Sequence, residues 1–128
     1  MSNILLVEDD DFLSSLLRNR LQKEGFDVSI AKDGEEALSL MKSEKPSLIL
    51  LDIILPKKSG FEVMEEMRSD PQMQSAEPPV IIISNLGQPE DIRRGQDLGA
   101  IEYFIKARTS IDDLVQKIRE FIEKSAQA

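Results

Sequence analysis

The sequence predicts an α/β protein: a three-layer, doubly wound parallel sheet made of five strand–helix units. Three observations predict it. Ile4-Leu5-Leu6-Val7, Leu48-Ile49-Leu50-Leu51 and Val80-Ile81-Ile82-Ile83 are unbroken aliphatic runs. Strands without alternation are buried on both faces, as in a parallel sheet covered by helices. Strand-like and helix-like segments then alternate five times along the chain, which implies parallel strands joined by right-handed crossovers. Finally, the aliphatic runs end in polar residues, and open α/β sheets bind ligands beyond the carboxyl ends of their strands.

Each element has its own warrant. Ile4 to Val7 form the first strand and run into Glu8-Asp9-Asp10-Asp11. Phe12, Leu13, Leu16, Leu17 and Leu21 recur with helical spacing, Asp10 or Asp11 serves as the cap, and Gly25 stops the helix. Phe26 to Ala31 hold a shorter strand with Val28 and Ile30 alternating, and Asp33-Gly34 makes the turn. Ala37, Leu38 and Met41 form the inner stripe of a second helix that Pro46 ends. Ser47 to Asp52 is the central strand, and apolar character resumes at Ile53-Ile54-Leu55 before Pro56.

Pro56 to Gly60 reads as a loop, and Ser59 with Glu62 has the form of a capping box for a helix through Phe61, Met64 and Met67. Ser69 to Pro79 carries three prolines and no apolar period, so a surface connection is expected. Val80 to Ile83 is a buried strand ending in Ser84-Asn85. The fourth helix opens at Pro89 and runs to about Leu98, where Gly99 ends it. Its apolar face is thin, mainly Ile92 and Leu98, so it should be the least firmly docked helix. Tyr103-Phe104-Ile105 is the last strand and delivers Lys106. Ser110 caps a fifth helix whose stripe, Ile111, Leu114, Val115, Ile118, Phe121 and Ile122, is the strongest amphipathic period in the chain. Residues 1–124 are expected to be one domain, with Ser125 to Ala128 a frayed tail. No linker toward a second, effector domain is legible.

Composition narrows the chemistry. Length, 128 residues, suits a single core, and 41% hydrophobic with 31% charged residues is globular composition. No run approaches the length of a membrane span, and the N-terminus has no signal-peptide form, so no membrane insertion is expected. Cysteine and histidine are absent, which excludes disulfides, thiolate chemistry and imidazole ligands, and fits a cytoplasmic location. The net charge of −8 argues against direct nucleic-acid binding and permits a cation site.

In the strand order 2-1-3-4-5, strands 1 and 3 flank the switch point of the sheet. Asp9 then lies beside Asp52, with Ser84 and Lys106 arriving from the next two strands. Clustered carboxylates stay ionised only when a cation neutralises them. All-oxygen ligation suits Mg2+, which binds through one or two carboxylates plus phosphate oxygens. A carboxylate is also a competent nucleophile for forming an aspartyl phosphate, whose oxygens need nearby positive charge and donors. Taken singly, each residue has a blander role: Asp10 and Asp11 as caps, Lys106 at the surface, Ser84 in a turn. The joint pattern is what carries the reading.

The chain resembles the receiver domain of bacterial two-component response regulators, the chemotaxis-type, flavodoxin-like kind. The residues that carry the resemblance are Ile4 to Asp10, Leu50-Leu51-Asp52-Ile53-Ile54-Leu55-Pro56 with Gly60, Ser84, and Tyr103 to Lys106. It covers Asn3 to about Ile122. The resemblance implies that Asp52 is the phosphoacceptor, that Asp9 binds Mg2+ (or Mn2+) directly and Glu8 through water, and that the Ile54 backbone carbonyl completes the protein ligands. It further implies that Ser84 bonds the phosphoryl group, Lys106 pairs with it, and Tyr103 is the aromatic switch. The donor would be a sensor histidine kinase or phosphotransfer protein. A downstream output protein would read the face made by helix 4, strand 5 and helix 5. The chain would act as a monomer or a phosphorylation-dependent dimer. It would be a self-phosphorylating acceptor with at most slow autodephosphorylation, not an enzyme.

Two positions depart from the family pattern. Ala107 follows Lys106 where the family has a cis proline. A cis bond before Ala costs about 2.5–4 kcal/mol, so either a trans bond or strain is expected, with Lys106 displaced and its phosphoryl contact weakened. Asn85 replaces a small residue and is expected to narrow access to Asp52. Ile54 and Leu86 border the site and offer no group to orient an attacking water, so a long-lived phosphoryl group is expected. The rival readings are a phosphohydrolase with an Asp nucleophile, a pseudo-receiver and a flavin-binding module. Ile54 stands where the hydrolase would place its general acid. A pseudo-receiver would be expected to lose acids or the lysine. An acidic loop follows strand 1 where flavin binding needs a phosphate cradle.

Overall fold

The computed structural model describes residues 2–71 and 78–127. The reading of 69–79 as a surface connection therefore lies, for 72–77, outside the described residues. The described elements are β1 (Asn3–Val7), α1 (Asp11–Lys23), β2 (Asp27–Ala31), α2 (Gly34–Glu44), β3 (Leu48–Leu51), α3 (Gly60–Ser69), β4 (Val80–Ser84), α4 (Pro89–Asp97), β5 (Glu102–Ile105) and α5 (Ile111–Gln127), with a 3-10 turn at Lys106–Arg108. The five strands form one parallel sheet in the order β2-β1-β3-β4-β5, as the sequence predicts.

The period of two along each strand divides the core into two layers. Leu48 and Leu50 of β3 pack with Leu17 and Leu21 of α1 and with Leu114, Val115 and Ile118 of α5. Ile49 and Leu51 point the other way, toward Ala37 and Met41 of α2 and Phe61, Val63, Met64 and Met67 of α3. All four β3 residues are fully buried, which is why this strand shows no alternation. Register brings Leu6, Leu50 and Ile81 side by side across the central strands.

Local signals act as the sequence suggests at most helix starts. The Asp10 side chain accepts from the Phe12 and Leu13 amides, Ser59 from Glu62 and Ser110 from Asp113. Each satisfies an amide that the first helical turn leaves without a partner. Gly25 and Gly99 follow α1 and α4 at φ 95° and 102°, a conformation that side chains resist. Asp33 caps α2 through the Glu36 amide, a role finer than the turn read from Asp33-Gly34.

One expectation changes. Phe12 is 79% exposed instead of joining the inner stripe of α1. It stands nine residues before the buried Leu21, half a turn out of phase with it, and so lies on the opposite side of α1. Helix α5 extends through Gln127. Helix α4 buries only Gly95, in line with its thin apolar face, but polar contacts hold it. Arg94 donates to Glu65 at 2.9 Å and stacks 4.4 Å from the Phe61 ring centre, and Arg68 donates to the Asp97 carbonyl. No described helix is long and apolar enough to cross a membrane.

Replacing fully buried Leu50 by Ala should destabilise the fold by about 2–5 kcal/mol, whereas Phe12→Ala should stay within about 0.5 kcal/mol. Urea denaturation measures both. A large loss for Phe12→Ala would show that its ring does pack in the core.

Candidate functional site

The carboxyl ends of β1, β3, β4 and β5 converge on one edge of the sheet. The Asp52 amide donates to the Val7 carbonyl at 3.0 Å, so Asp52 leaves β3 directly beside the end of β1. Behind it, the Gly60 amide donates to the Ile53 carbonyl at 2.8 Å. A Cβ at position 60 would overlap the Asp52 carbonyl oxygen and lie 2.8 Å from the Ile53 Cα. Glycine is therefore what lets α3 begin against the backbone of Asp52.

Three side chains from three strand ends are joined by ion pairs. Lys106 Nζ lies 2.7 Å from Asp52 Oδ2 and 2.6 Å from Glu8 Oε1. Glu8 Oε2 accepts from the Asp10 amide at 3.1 Å, and Asp52 Oδ1 from the Ile54 amide at 3.2 Å. Glu8 and Asp52 are only 2% and 5% exposed; Asp9 is exposed. Burial pushes the Glu8 carboxyl above its usual value, against the pull of the Lys106 hydrogen bond and the Asp10 amide. Burial alone would lower the Lys106 ammonium, but its hydrogen bonds to Asp52 and Glu8 prevail and hold it above the usual lysine value. A 2.6 Å ammonium–carboxylate contact is that of a charged pair, so burial opposes Glu8 ionisation without abolishing it.

Glu8, Asp9 and Asp52 each place a carboxylate oxygen within 4.8 Å of the others. This donor set is all oxygen, the chemistry of a hard divalent cation. When all three acids are ionised, three negative charges against the one on Lys106 leave two uncompensated, which matches such an ion. The residues present fit Mg2+ or Mn2+.

Ser84 is fully buried at the end of β4, and its hydroxyl accepts from the Leu86 amide at 3.3 Å. Tyr103 donates its hydroxyl to the Leu86 carbonyl, so it faces the Ser84 loop from β5. Burial raises its phenol above the ordinary value. Ile54 is 57% exposed and meets Asp52 through its amide. Among the described residues no peptide bond is cis, so Lys106–Ala107 is trans. The expected displacement of Lys106 does not follow, since its ammonium reaches both acids. Asn85 is turned toward the other loop, where its Oδ1 accepts from the Ala107 amide at 3.1 Å. The sequence reading missed this bond, the Glu8–Lys106 pair and the steric role of Gly60. Strand order could not have indicated the second, since β5 lies three strands from β1 and only the length of the lysine side chain brings Lys106 to Glu8.

Fold and site together define a class: a doubly wound α/β protein with an acidic pocket at the switch point of its sheet, closed by a lysine. Comparison with known proteins sharpens this. The family model described as response regulator receiver domain matches residues 4–119. The transcriptional regulatory protein CpxR of Klebsiella pneumoniae is 40% identical over 125 residues, covering 98% of this chain and 51% of CpxR. The DNA-binding dual master transcriptional regulator RpaA of Synechocystis is 34% identical, with 98% and 51% covered. The chain thus spans about half the length of these curated relatives. Among solved structures, a CheY-like receiver domain protein from Methanospirillum hungatei superposes with a TM-score of 0.87 at 27% identity, over 99% and 98% of the two chains. The Mn2+-bound form of response regulator Rcp1 does so with 0.80 at 31% identity, over 94% of each. The chain belongs to the response regulator receiver domain family.

Lys106→Met leaves two buried carboxylates without a counter-charge and should cost about 3–5 kcal/mol at neutral pH. In the variant the Glu8 carboxyl, raised by burial, also loses the Lys106 hydrogen bond that pulls it down. Its contribution is full below the unfolded carboxylate range and lost as pH rises through the folded one. The deficit against the wild type should therefore shrink on acidification toward about pH 4. In the wild type the raised Lys106 value acts in the opposite window: its stabilisation is full below about pH 10 and lost above it. Denaturation at several pH values tests both, and a deficit that grows on acidification would contradict the account.

Proposed function

We propose that this chain is a phosphoacceptor switch, taking a phosphoryl group from a histidine kinase or phosphotransfer protein onto Asp52. The single observation that carries this reading is the joining of Asp52 to Lys106 at 2.7 Å within the cluster formed with Glu8 and Asp9. Asp52 is the nucleophile: its carboxylate oxygen bonds to phosphorus as the bond from phosphorus to the donor nitrogen breaks, and the donor ring, protonated beforehand on its other nitrogen, leaves as a neutral imidazole. Lys106 follows the transferred charge, exchanging part of its contact with Asp52 for a phosphoryl oxygen. Ser84 gives up the Leu86 amide and donates its hydroxyl to another. Asp9, Asp52 and the Ile54 carbonyl would hold Mg2+, with Glu8 acting through water. Bound there, the ion would neutralise the acids and the transferring phosphoryl oxygens.

Movement of Ser84 would pass to Leu86, and from Leu86 to Tyr103, which is bonded to its carbonyl. This chain of contacts supports a change in the face formed by α4, β5 and α5. Thinly buried α4 is the element best suited to shift. Residues 1–124 would form one receiver unit acting in the cytoplasm, as a monomer or a phosphorylation-dependent dimer. Its output would go to a partner protein or an adjoining domain. The relatives named as transcriptional regulators favour an output on transcription, and the net charge of −8 argues that the receiver itself does not touch DNA. Ile54 and Leu86 are apolar at the site border and orient no water, which favours a long-lived acyl phosphate.

A small phosphodonor with Mg2+ should label the wild type, and chelation of the metal or Asp52→Asn should abolish the label. Equal labelling of Asp52→Asn would remove Asp52 as acceptor. Once donor is withdrawn, the label should decay more slowly in the wild type than in Ile54→Gln, whose amide supplies a group to orient water. Equal decay would overturn the role given to Ile54.

A further inference from the structure

The loop after β4 and the turn after β5 are linked by one bond that neither strand pairing nor the ion pairs require. Asn85 follows Ser84, and Ala107 follows Lys106. The Asn85 Oδ1 accepts from the Ala107 amide at 3.1 Å. Both residues are exposed, so the bond contributes nothing to packing in the core. Ala107 is the middle residue of the 3-10 turn at Lys106–Arg108, and Thr109, at its end, donates its hydroxyl to the Ile105 carbonyl at 3.0 Å. The other end of β5 is tied to the same loop by Tyr103 through Leu86. Residues 84–86 thus hold β5 at Tyr103 on one side and just beyond Lys106 on the other.

We propose that Asn85 is a positioning residue for Lys106, fixing the backbone after the lysine through the Ala107 amide and thereby aiming the ammonium at Asp52 and Glu8. The two residues suit one another chemically. A proline at 107 would have no amide to donate, and a small apolar residue at 85 would have no acceptor to offer. Ala107 carries a backbone amide hydrogen, which proline lacks, and the Asn85 side-chain oxygen supplies its acceptor. Because Asn85 is the immediate neighbour of Ser84, movement of Ser84 toward a phosphoryl group also moves the anchor of Lys106. The two groups then approach together. This coupling rests on the phosphoacceptor reading above; the positioning of Lys106 does not.

The test combines amide exchange, the Lys106 ammonium resonance and phosphodonor labelling in the wild type, Asn85→Ala, Asn85→Asp and Lys106→Ala with and without Asn85→Ala. The Ala107 amide should exchange about threefold or more faster in Asn85→Ala, and wild-type protection should return in Asn85→Asp, which keeps an acceptor oxygen. The ammonium resonance of Lys106, sharp in the wild type, should broaden in Asn85→Ala. Labelling should slow about threefold, the size expected for one exposed hydrogen bond, with Mg2+ affinity and Tm unchanged. The slowing should vanish when Lys106 is already Ala. Wild-type protection of Ala107 and an unchanged Lys106 resonance in Asn85→Ala would overturn the proposal. So would equal slowing with and without Lys106, which marks a merely structural effect. If the wild type accepts no label at all, the phosphoacceptor reading falls, and the Ala107 and Lys106 signals still decide whether Asn85 positions the lysine.

Discussion

Two carboxylates, 2% and 5% exposed, share one ammonium at the edge of the sheet. Unpaired buried acids are costly, because the Coulomb gain that offsets their desolvation disappears with the partner. Glu8 follows β1, Asp52 follows β3 and Lys106 follows β5, so the pairing requires side chains from three strand ends to meet within a few ångströms. The rest of the fold supplies that meeting. Parallel register aligns the strands, and the Asp52 amide continues the ladder onto Val7. The absence of a side chain at Gly60 lets α3 close on the backbone behind Asp52. The same arrangement leaves negative charge uncompensated, and that excess is what suits the cluster to a divalent cation.

Elements with strong periodic signals were legible in the sequence. The unbroken runs of β1, β3 and β4 could only be strands covered on both sides, and the strand–helix alternation left little freedom of topology. Asp9, Asp52, Ser84 and Lys106 were legible as a set for the same reason: each ends a strand whose place in the sheet the alternation fixes. Phe12 was misplaced because its one-turn spacing to Leu16 was counted, although it stands out of phase with Leu17 and Leu21, the residues that α1 buries. The end of α5 was not legible because its last residues are polar or small and carry no apolar stripe.

The bonds that tune the site were not legible. Spacing in the chain says nothing about whether Asn85 leans over Asp52 or away toward Ala107, since a side-chain rotamer and the course of a facing loop decide it. The expectation that a trans bond at Ala107 would displace Lys106 assumed that the backbone alone aims the lysine. The two acids that pair with it and the Asn85 bond to the next amide aim it as well. Helix α4 teaches a similar lesson: a thin apolar face predicted weak docking, yet Arg94 and Arg68 tether the helix to α3 by charge and hydrogen bonds that hydrophobic patterning does not register.

The central claim is that the paired carboxylate at the end of β3 is the nucleophile for phosphoryl transfer. It is tested most directly by reducing the phosphorylated protein with borohydride, which converts an acyl phosphate to the corresponding alcohol, and locating the altered residue by mass spectrometry. The account predicts a single modified position, Asp52, dependent on a divalent cation during phosphorylation. Modification at Glu8, at Asp9 or elsewhere in place of Asp52 would contradict it.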